Sequence, residues 1–252
     1  MFDMKLRLAG KNISVKALYE STVNFCKEYI SDFDRSDVEI VITIEDIVSE
    51  RIKASRQAEI DKSAAKNPSS AYLETLALYR KIAEALVDFG IVLFHGSAIS
   101  LDGEVYLFTA KSGTGKSTHT RLWRELFGER AVMINDDKPL LEVTDSGVLV
   151  YGTPWNGKHR LSTNASAPLK AICILERAEE NTIVRQVPAS TYAAILSQTY
   201  RPASPDKTKK TLILIDTIIK SVDIYKLGCN MQPEAAIISC KGMGGKVNSD
   251  EA

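Results

Sequence analysis

The segment that most restricts how this chain can fold is Ala110-Lys111-Ser112-Gly113-Thr114-Gly115-Lys116-Ser117. The apolar and aromatic run Val105 to Thr109 leads into it, and a stretch with Leu122, Trp123, Leu126 and Phe127 at helical spacing follows it. The expected local order is therefore strand, glycine-bearing loop, helix. Glycines at 113 and 115 permit backbone turns closed to other residues, so that N–H groups can converge on an anion. The N-terminus of the following helix adds positive potential. A lysine at 116 can reach β- and γ-phosphate oxygens, and the Ser117 hydroxyl can ligate Mg²⁺. Ser112, Gly113, Thr114, Gly115, Lys116, Ser117 and Thr118 are thus the candidate residues for binding ATP. The plainer reading is a glycine turn that caps a helix; Ala110 stands where a glycine would make the loop entry more permissive.

Any attraction for phosphate has to be local. Thirty-two Lys+Arg balance 32 Asp+Glu in 252 residues, so the formal net charge is zero and nothing draws the whole chain to nucleic acid or an anionic membrane. The length suits one large domain, or a core domain with a smaller companion. Cys26, Cys173, Cys229 and Cys240 form no C-x-x-C pair and have no histidine at metal spacing. They read as reduced thiols of a cytoplasmic protein. Met1 to Gly10 has no secretion-type apolar run, and Leu212 to Ile219, interrupted by Asp216, is too short to span a bilayer. The expectation is a soluble cytoplasmic protein with neither nucleic acid nor membrane as partner.

Lys5 to Val15 alternates around Ala9-Gly10-Lys11-Asn12 as a hairpin. The spacing predicts a helix over Tyr19 to Ile30 and a strand over Val38 to Ile44. Ile47 to Lys62 is either a helix or an exposed crossing segment. After the break at Asn67-Pro68, Ser70 is placed to cap a helix that Gly90 ends. Residues 1–89 read as an N-terminal α+β lobe without recognisable chemistry. Residues 90–242 read as a nucleotide-binding catalytic domain, and 243–252 as a flexible tail. In the second part, strands are expected at Ile91 to Phe94, Val105 to Thr109, Ala131 to Ile134, Val148 to Tyr151, Ala171 to Leu175 and Val222 to Leu227. Helices are expected after Lys116 and over Ser190 to Thr199, Lys209 to Lys220 and Pro233 to Cys240. No internal repeat or low-complexity tract stands out.

A phosphate loop also needs a metal-side carboxylate and, for transfer to a hydroxyl, a base. Asn135-Asp136-Asp137 ends an apolar run about twenty residues beyond Lys116. One aspartate can hold Mg²⁺ while the other accepts the hydroxyl proton; the bland alternative is an Asp-rich turn before Pro139. His95-Gly96 ends another strand, where an imidazole can sit over a phosphate, assist a proton relay, or simply hydrogen-bond structurally. His119 falls inside the helix after the loop and is assigned no role. In the loop Tyr151 to Arg160, Trp155, Asn156, Lys158 and Arg160 are candidate contacts to phosphate or acceptor substrate, unless Trp155 merely pins a surface loop. Arg201 is a weaker candidate for stabilising charge.

In that order, His95-Gly96, Ser112 to Thr118 and Asp136-Asp137 resemble the catalytic domain of HPr kinase/phosphorylase and the related phosphoenolpyruvate carboxykinase superfamily. The resemblance spans roughly Ile91 to Cys240. It implies an α/β fold: a P-loop-containing core of mixed sheet with flanking helices, to which the small N-terminal α+β lobe is added. It further implies ATP at Ser112 to Thr118, Mg²⁺ near Ser117 and Asp136, Asp137 as proton acceptor, His95 assisting, and Lys116 on the phosphates. That family's Glu-bearing metal motif and downstream arginine loop have no match here; Gly152 to Lys158 occupies about the place of the first. The chain is similar to HPr-kinase-like proteins of peptide-modification systems, including those that phosphorylate a serine of a lasso peptide precursor. The implied activity is transfer of the γ-phosphoryl group to a serine of a peptide or small protein. The alternatives are a small-molecule kinase acting on, for example, free serine, and a nucleotide-binding regulatory module without catalysis. HPr kinases assemble as hexamers, so the resemblance raises a homo-oligomer, although no segment reads as a specific interface.

Overall fold

The computed structural model describes residues 1–60, 67–249 and 251. The chain divides into two compact units, Met1–Ala85 and Leu86–Ala252.

The first unit holds β1 (Phe2–Leu8), β2 (Lys11–Ala17), α1 (Glu20–Phe25), β3 (Val38–Val41), α2 (Ile44–Ile60) and most of α3 (Ser70–Leu86). β1 and β2 form the expected hairpin, turning at Ala9 and Gly10 with both φ angles positive. β3 joins β2 in parallel. The helix expected over Tyr19 to Ile30 is cut short at Phe25, and a 3₁₀ turn, Lys27–Tyr29, follows. The chain has to leave the helix there so that Ser31 N–H can reach Lys5 O, 3.0 Å away, at the edge of β1. The segment read as helix or crossing is α2. It starts at Ile44 because Thr43 and Asp46 cap it reciprocally: Thr43 N–H donates to Asp46 Oδ2 and Asp46 N–H to Thr43 Oγ1. Residues 61 and 62 of that expectation lie outside the described residues. Ser69, not Ser70, caps α3, its Oγ accepting from Tyr72 N–H at 3.2 Å. Glu74 of α3 is fully buried, and its carboxylate accepts from Leu18 N–H, Tyr19 N–H and the Thr22 hydroxyl at the start of α1.

The second unit is a mixed α/β structure. Its chain order is β4 (Ile91–Leu93), β5 (Ser97–Leu101), β6 (Glu104–Thr109), α4 (Lys116–Phe127), β7 (Ala131–Asn135), β8 (Leu140–Thr144), β9 (Gly147–Tyr151), β10 (Ser166–Arg177), β11 (Thr182–Arg185), α5 (Pro188–Gln198), α6 (Pro205–Ser221), β12 (Asp223–Cys229) and α7 (Glu234–Gly242). The central sheet runs β7-β5-β6-β10-β12-β11, with β6, β10 and β12 mutually parallel. β5 is antiparallel to both β6 and β7, so β6 and β7 point the same way and bring their carboxyl ends to one edge. β10 is far longer than the expected Ala171 to Leu175. Its first residues, Ser166 to Pro168, pair with β9 and connect the β4-β8-β9 sheet, and its register shifts between Leu169 and Ala171.

The apolar runs are continuous because both faces of the central strands are covered. One face carries Tyr106, Phe108 and Cys173 against Leu122, Trp123, Phe127, Ala235 and Cys240 of α4 and α7. The other carries Val105, Leu107 and Ile172 against Ile195 of α5 and Ile215, Ile218 and Ile219 of α6. Trp123 is fully buried, with ring centroids 4.9 Å from Tyr106, 5.3 Å from Phe108 and 5.2 Å from Phe127. Its Nε1–H donates to Ser239 Oγ at 2.9 Å. In the described part of the segment expected as a tail, Gly245 N–H donates to Cys240 O, Val247 packs on the core, and Glu251 pairs with Arg130 at 2.5 Å. Among the described residues no helix is long and apolar enough to cross a membrane.

Trp123 therefore fixes α4, and with it the loop that α4 terminates, onto β6. Trp123→Ala is expected to lower unfolding free energy by about 3–5 kcal/mol, measured by urea denaturation. A loss below about 1 kcal/mol would mean that this cluster does not hold the helix.

Candidate functional site

β6 ends at Thr109, α4 begins at Lys116, and the six residues between them form the loop. Gly113 has φ 77° and Gly115 has φ 123°, conformations that side chains rarely tolerate. Thr114 N–H donates to Lys111 O, closing a tight turn. Lys116 Nζ reaches Ala110 O at 3.4 Å, so the ammonium lies across the loop. Burial lowers the Lys116 pKa, and the neighbouring charge of Asp137 partly offsets that. Arg177, at the carboxyl end of β10, donates to Gly113 O at 2.5 Å and braces the loop from the side.

His95 sits between β4 and β5. Its N–H donates to Gln198 O at 2.7 Å and its carbonyl accepts from Thr109 Oγ1 at 3.0 Å, which clamps its backbone between α5 and the end of β6. Gly96 is required by contact: a Cβ there would lie 2.9 Å from Leu107 Cδ1 and from Phe108 O. The His95 ring reaches Asp137, with Nε2 3.3 Å from Oδ1. Lys138 Nζ contacts the same oxygen at 3.1 Å. Burial works against ionising Asp137, but the His95 hydrogen bond and the Lys138 charge outweigh it and hold the carboxyl below the usual carboxylate range.

Asp136 is nearly completely buried. Its Oδ1 accepts from Ser97 Oγ at 2.6 Å, and Ser97 Oγ lies 2.9 Å from Thr120 Oγ1. Thr120 in turn bonds the carbonyls of Lys116 and Ser117 in the first turn of α4. A chain of hydroxyls thus ties the acidic end of β7 to the helix that carries Lys116. Asp136 Oδ2 and Ser117 Oγ make no hydrogen bond with described residues. Among the described residues no group of three or more His, Cys, Asp or Glu gathers as a metal cage. Carboxylate and hydroxyl oxygens are hard donors of the kind Mg²⁺ takes. Asn135 Oδ1 accepts from the N–H groups of Asp137 and Lys138 and sets the turn that aims the two aspartates apart.

The loop after β9 lies over this acidic turn. Gly152 threads a constriction, since a Cβ there would fall 2.0 Å from Thr163 O. Thr153 accepts from Asn135 Nδ2 and donates to Lys138 O. Of the candidate substrate contacts, Trp155 is buried and Asn156 Nδ2 is engaged by Ser162 Oγ at 2.8 Å, so both hold the loop's shape. Lys158 and Arg160 are exposed at its tip. Arg201 is exposed beyond α5. His119 is buried against Phe108 and Ser239, and burial pushes its pKa down to about 3, so it stays neutral.

Two cavities flank the glycine loop. One, of about 420 Å³, is lined by Thr118, His119, Leu122, Arg177, Cys229 and Met231. The other, of about 410 Å³, lies toward α5 between Lys111, Glu176, Ser197 and Gln198. A larger cavity of about 750 Å³ belongs to the first unit, along β1–β3. Sequence reasoning did not select Ser97, Thr120, Lys138 or Arg177. The hint for Thr120 was its position one helical turn after Lys116; that for Arg177 was a charged residue closing an apolar strand.

No family model matches the chain, and no curated protein matches it. Among solved structures, the chain is similar to the Hpr(Ser) kinase/phosphatase from Coxiella burnetii at 13% identity and a TM-score of 0.29, over 51% of this chain and 88% of the other.

Gly152→Ala is expected to cost about 1–3 kcal/mol or more through forced backbone displacement, and to lower the thermal midpoint. An unchanged midpoint would show that the loop can leave Thr163 without penalty.

Proposed function

We propose that this protein is an ATP-dependent phosphotransferase that moves the γ-phosphoryl group to a hydroxyl, with a serine of a peptide or small protein as acceptor. The observation that carries the reading is Asp137. It is an ionised carboxylate fixed by His95 and Lys138 at the edge where β6 delivers Lys116, and its charge acts on Lys116.

The loop amides, the α4 N-terminus and Lys116 bind the phosphates and neutralise charge that builds up during transfer. The nucleoside end extends into the cavity beside Thr118 and Met231. Asp136 Oδ2 and Ser117 Oγ would hold Mg²⁺, which would supply positive charge to offset that of the phosphates. Asp137 Oδ2, which has no hydrogen bond among described residues, accepts the proton of the acceptor hydroxyl. The hydroxyl oxygen bonds to the γ-phosphorus while the bond from that phosphorus to the β–γ bridging oxygen breaks, and ADP leaves with the electron pair. His95 and Lys138 keep Asp137 ionised and oriented. A second reading, a small hydroxyl metabolite as acceptor, is favoured by the cavity of about 410 Å³ toward α5, which is within the size range of small-molecule sites.

Asp137→Asn is expected to lower transfer by about 10²–10⁴-fold while Mg-ATP affinity stays intact, with label transfer and calorimetry as the two measurements. Loss of ATP binding in a folded Asp137→Asn protein would instead assign that carboxylate to the metal.

The low pKa of Asp137 sets the pH response. The base is ionised above its depressed value, so the acid limb of activity falls below the ordinary carboxylate range. Its contribution to stability is present above the unfolded-state carboxylate pKa and is lost as pH falls through the lowered folded value. His95→Ala removes one of the groups that depress it, so the acid limb should move to higher pH. A pH–rate profile identical to that of the parent would refute the pairing.

A further inference from the structure

Three consecutive ionisable groups, Lys158, His159 and Arg160, occupy the tip of the loop after β9, and all three are exposed. None makes a side-chain hydrogen bond or ion pair with any described residue. An exposed basic run is ordinarily just a solvated surface. Here the two ends of the tip are both pinned to the acid pair. On one side, Gly157, at φ 67°, lies against the acid pair: a Cβ there would stand 3.4 Å from Asp137 Cβ and 3.7 Å from Asp136 O. On the other side, Leu161 O accepts from Asp136 N–H at 3.0 Å. Next along, Ser162 bridges to Asn135, and Thr163 N–H donates to Ile134 O. The Asn156–Ser162 hydrogen bond closes the neck. Arg160 is held at φ 53°, a conformation costly for a residue with a Cβ and one that persists only where surrounding contacts impose it. The tip is therefore a short three-residue arch with both feet on the turn that carries the proposed base.

Electrostatics gives such an arch a use. The other charges around this edge are Asp136, Asp137, Lys116 and Lys138, with Lys111 and Arg177 at the glycine loop and the nucleotide's own phosphates; Lys138 is already taken up by Asp137, and Arg177 donates to Gly113 O. A neutral hydroxyl acceptor meets no repulsion there and needs no added cations. An acceptor that itself carries a carboxylate or phosphate is repelled both by the γ-phosphate and by the acid pair, and uncommitted cations beside the base offset that repulsion. We propose that Lys158 and Arg160, with His159 between them, are specificity-determining residues that select a hydroxyl acceptor bearing an anionic group close to the reacting oxygen. The inference rests on the phosphotransferase reading for the identity of the reacting hydroxyl. The anionic group can come from an acidic peptide or from a small hydroxy acid.

The test separates the two sources, and separates this inference from the reading beneath it. Binding to the full chain is measured in Mg-ADP, so that no transfer is required. Fluorescent serine peptides flanked by glutamates are compared with the same peptides flanked by lysines, and glycerate is compared with glycerol by calorimetry. The glutamate peptide, or glycerate, is expected to bind roughly tenfold tighter than its counterpart, as two exposed charge pairs would give, with the preference shrinking at high salt. Lys158→Glu/Arg160→Glu should reverse the peptide preference or abolish the glycerate preference, with unchanged Mg-ADP affinity. Arg160→Gly, which relieves the strained φ, should lose part of the preference while folding at least as stably, so a folding defect in the double variant cannot mimic the result. Equal binding of charged and uncharged partners in both series overturns the inference, as does a parallel loss of Mg-ADP affinity, which would place the cations on the nucleotide. Preserved anion preference with no label transfer to any bound acceptor sinks the kinase reading and leaves the anion site standing.

Discussion

Asp136 is a carboxylate buried at the end of a strand, and such a group is stable only if hydrogen bonds replace the water it has lost. Ser97 supplies that bond, and Ser97 is itself shared with Thr120, whose hydroxyl reaches the first carbonyls of α4. Three elements distant in sequence, β5, α4 and β7, thus meet through hydroxyls at one point. That junction brings the acid pair and Lys116 of the glycine loop to the same sheet edge. Arg177 bracing Gly113, the His95 clamp and the loop after β9 are all arranged around it.

The topology makes the junction possible. A β5 strand antiparallel to both neighbours turns β6 and β7 in the same direction, so the loop after one and the acidic turn after the other come side by side. Ligand sites collect at the carboxyl ends of strands in open α/β sheets for this reason. Helices on both faces keep the strands dry and rigid. The Trp123 cluster extends that rigidity to α4, so the loop glycines keep their unusual backbone angles without being free to wander.

The legible parts of the sequence are those governed by local rules. The hairpin at Ala9-Gly10, the strand–loop–helix around Lys116 and the acidic strand end at Asn135-Asp136-Asp137 could all be placed from residue type and spacing. Errors arose where tertiary demands overrode propensity. The helix after Tyr19 stops at Phe25 because Ser31 must pair with β1, and β10 runs from Ser166 to Arg177 because β9 pairs with its beginning and β12 with its end. Ser97 and Thr120 went unseen since a serine in a strand and a threonine in a helix look ordinary until their partners are known. Trp155 could be read in the sequence either as a substrate contact or as the pin of a surface loop, and the structure shows its ring buried.

By itself the sequence determined the chemical inventory: a glycine loop between a strand and a helix, a lysine and serine at its end, two adjacent aspartates, a histidine before a glycine, and no net charge. It did so because turns, caps and strand ends are set by a few neighbouring residues. Only the tertiary structure decided which aspartate is buried and hydroxyl-bonded and which is held by His95 and Lys138. It alone decided that the backbone on either side of residues 158–160 packs against the turn that carries that second aspartate. Those outcomes depend on contacts across tens of residues, whose geometry comes from sheet order and packing rather than from any local pattern.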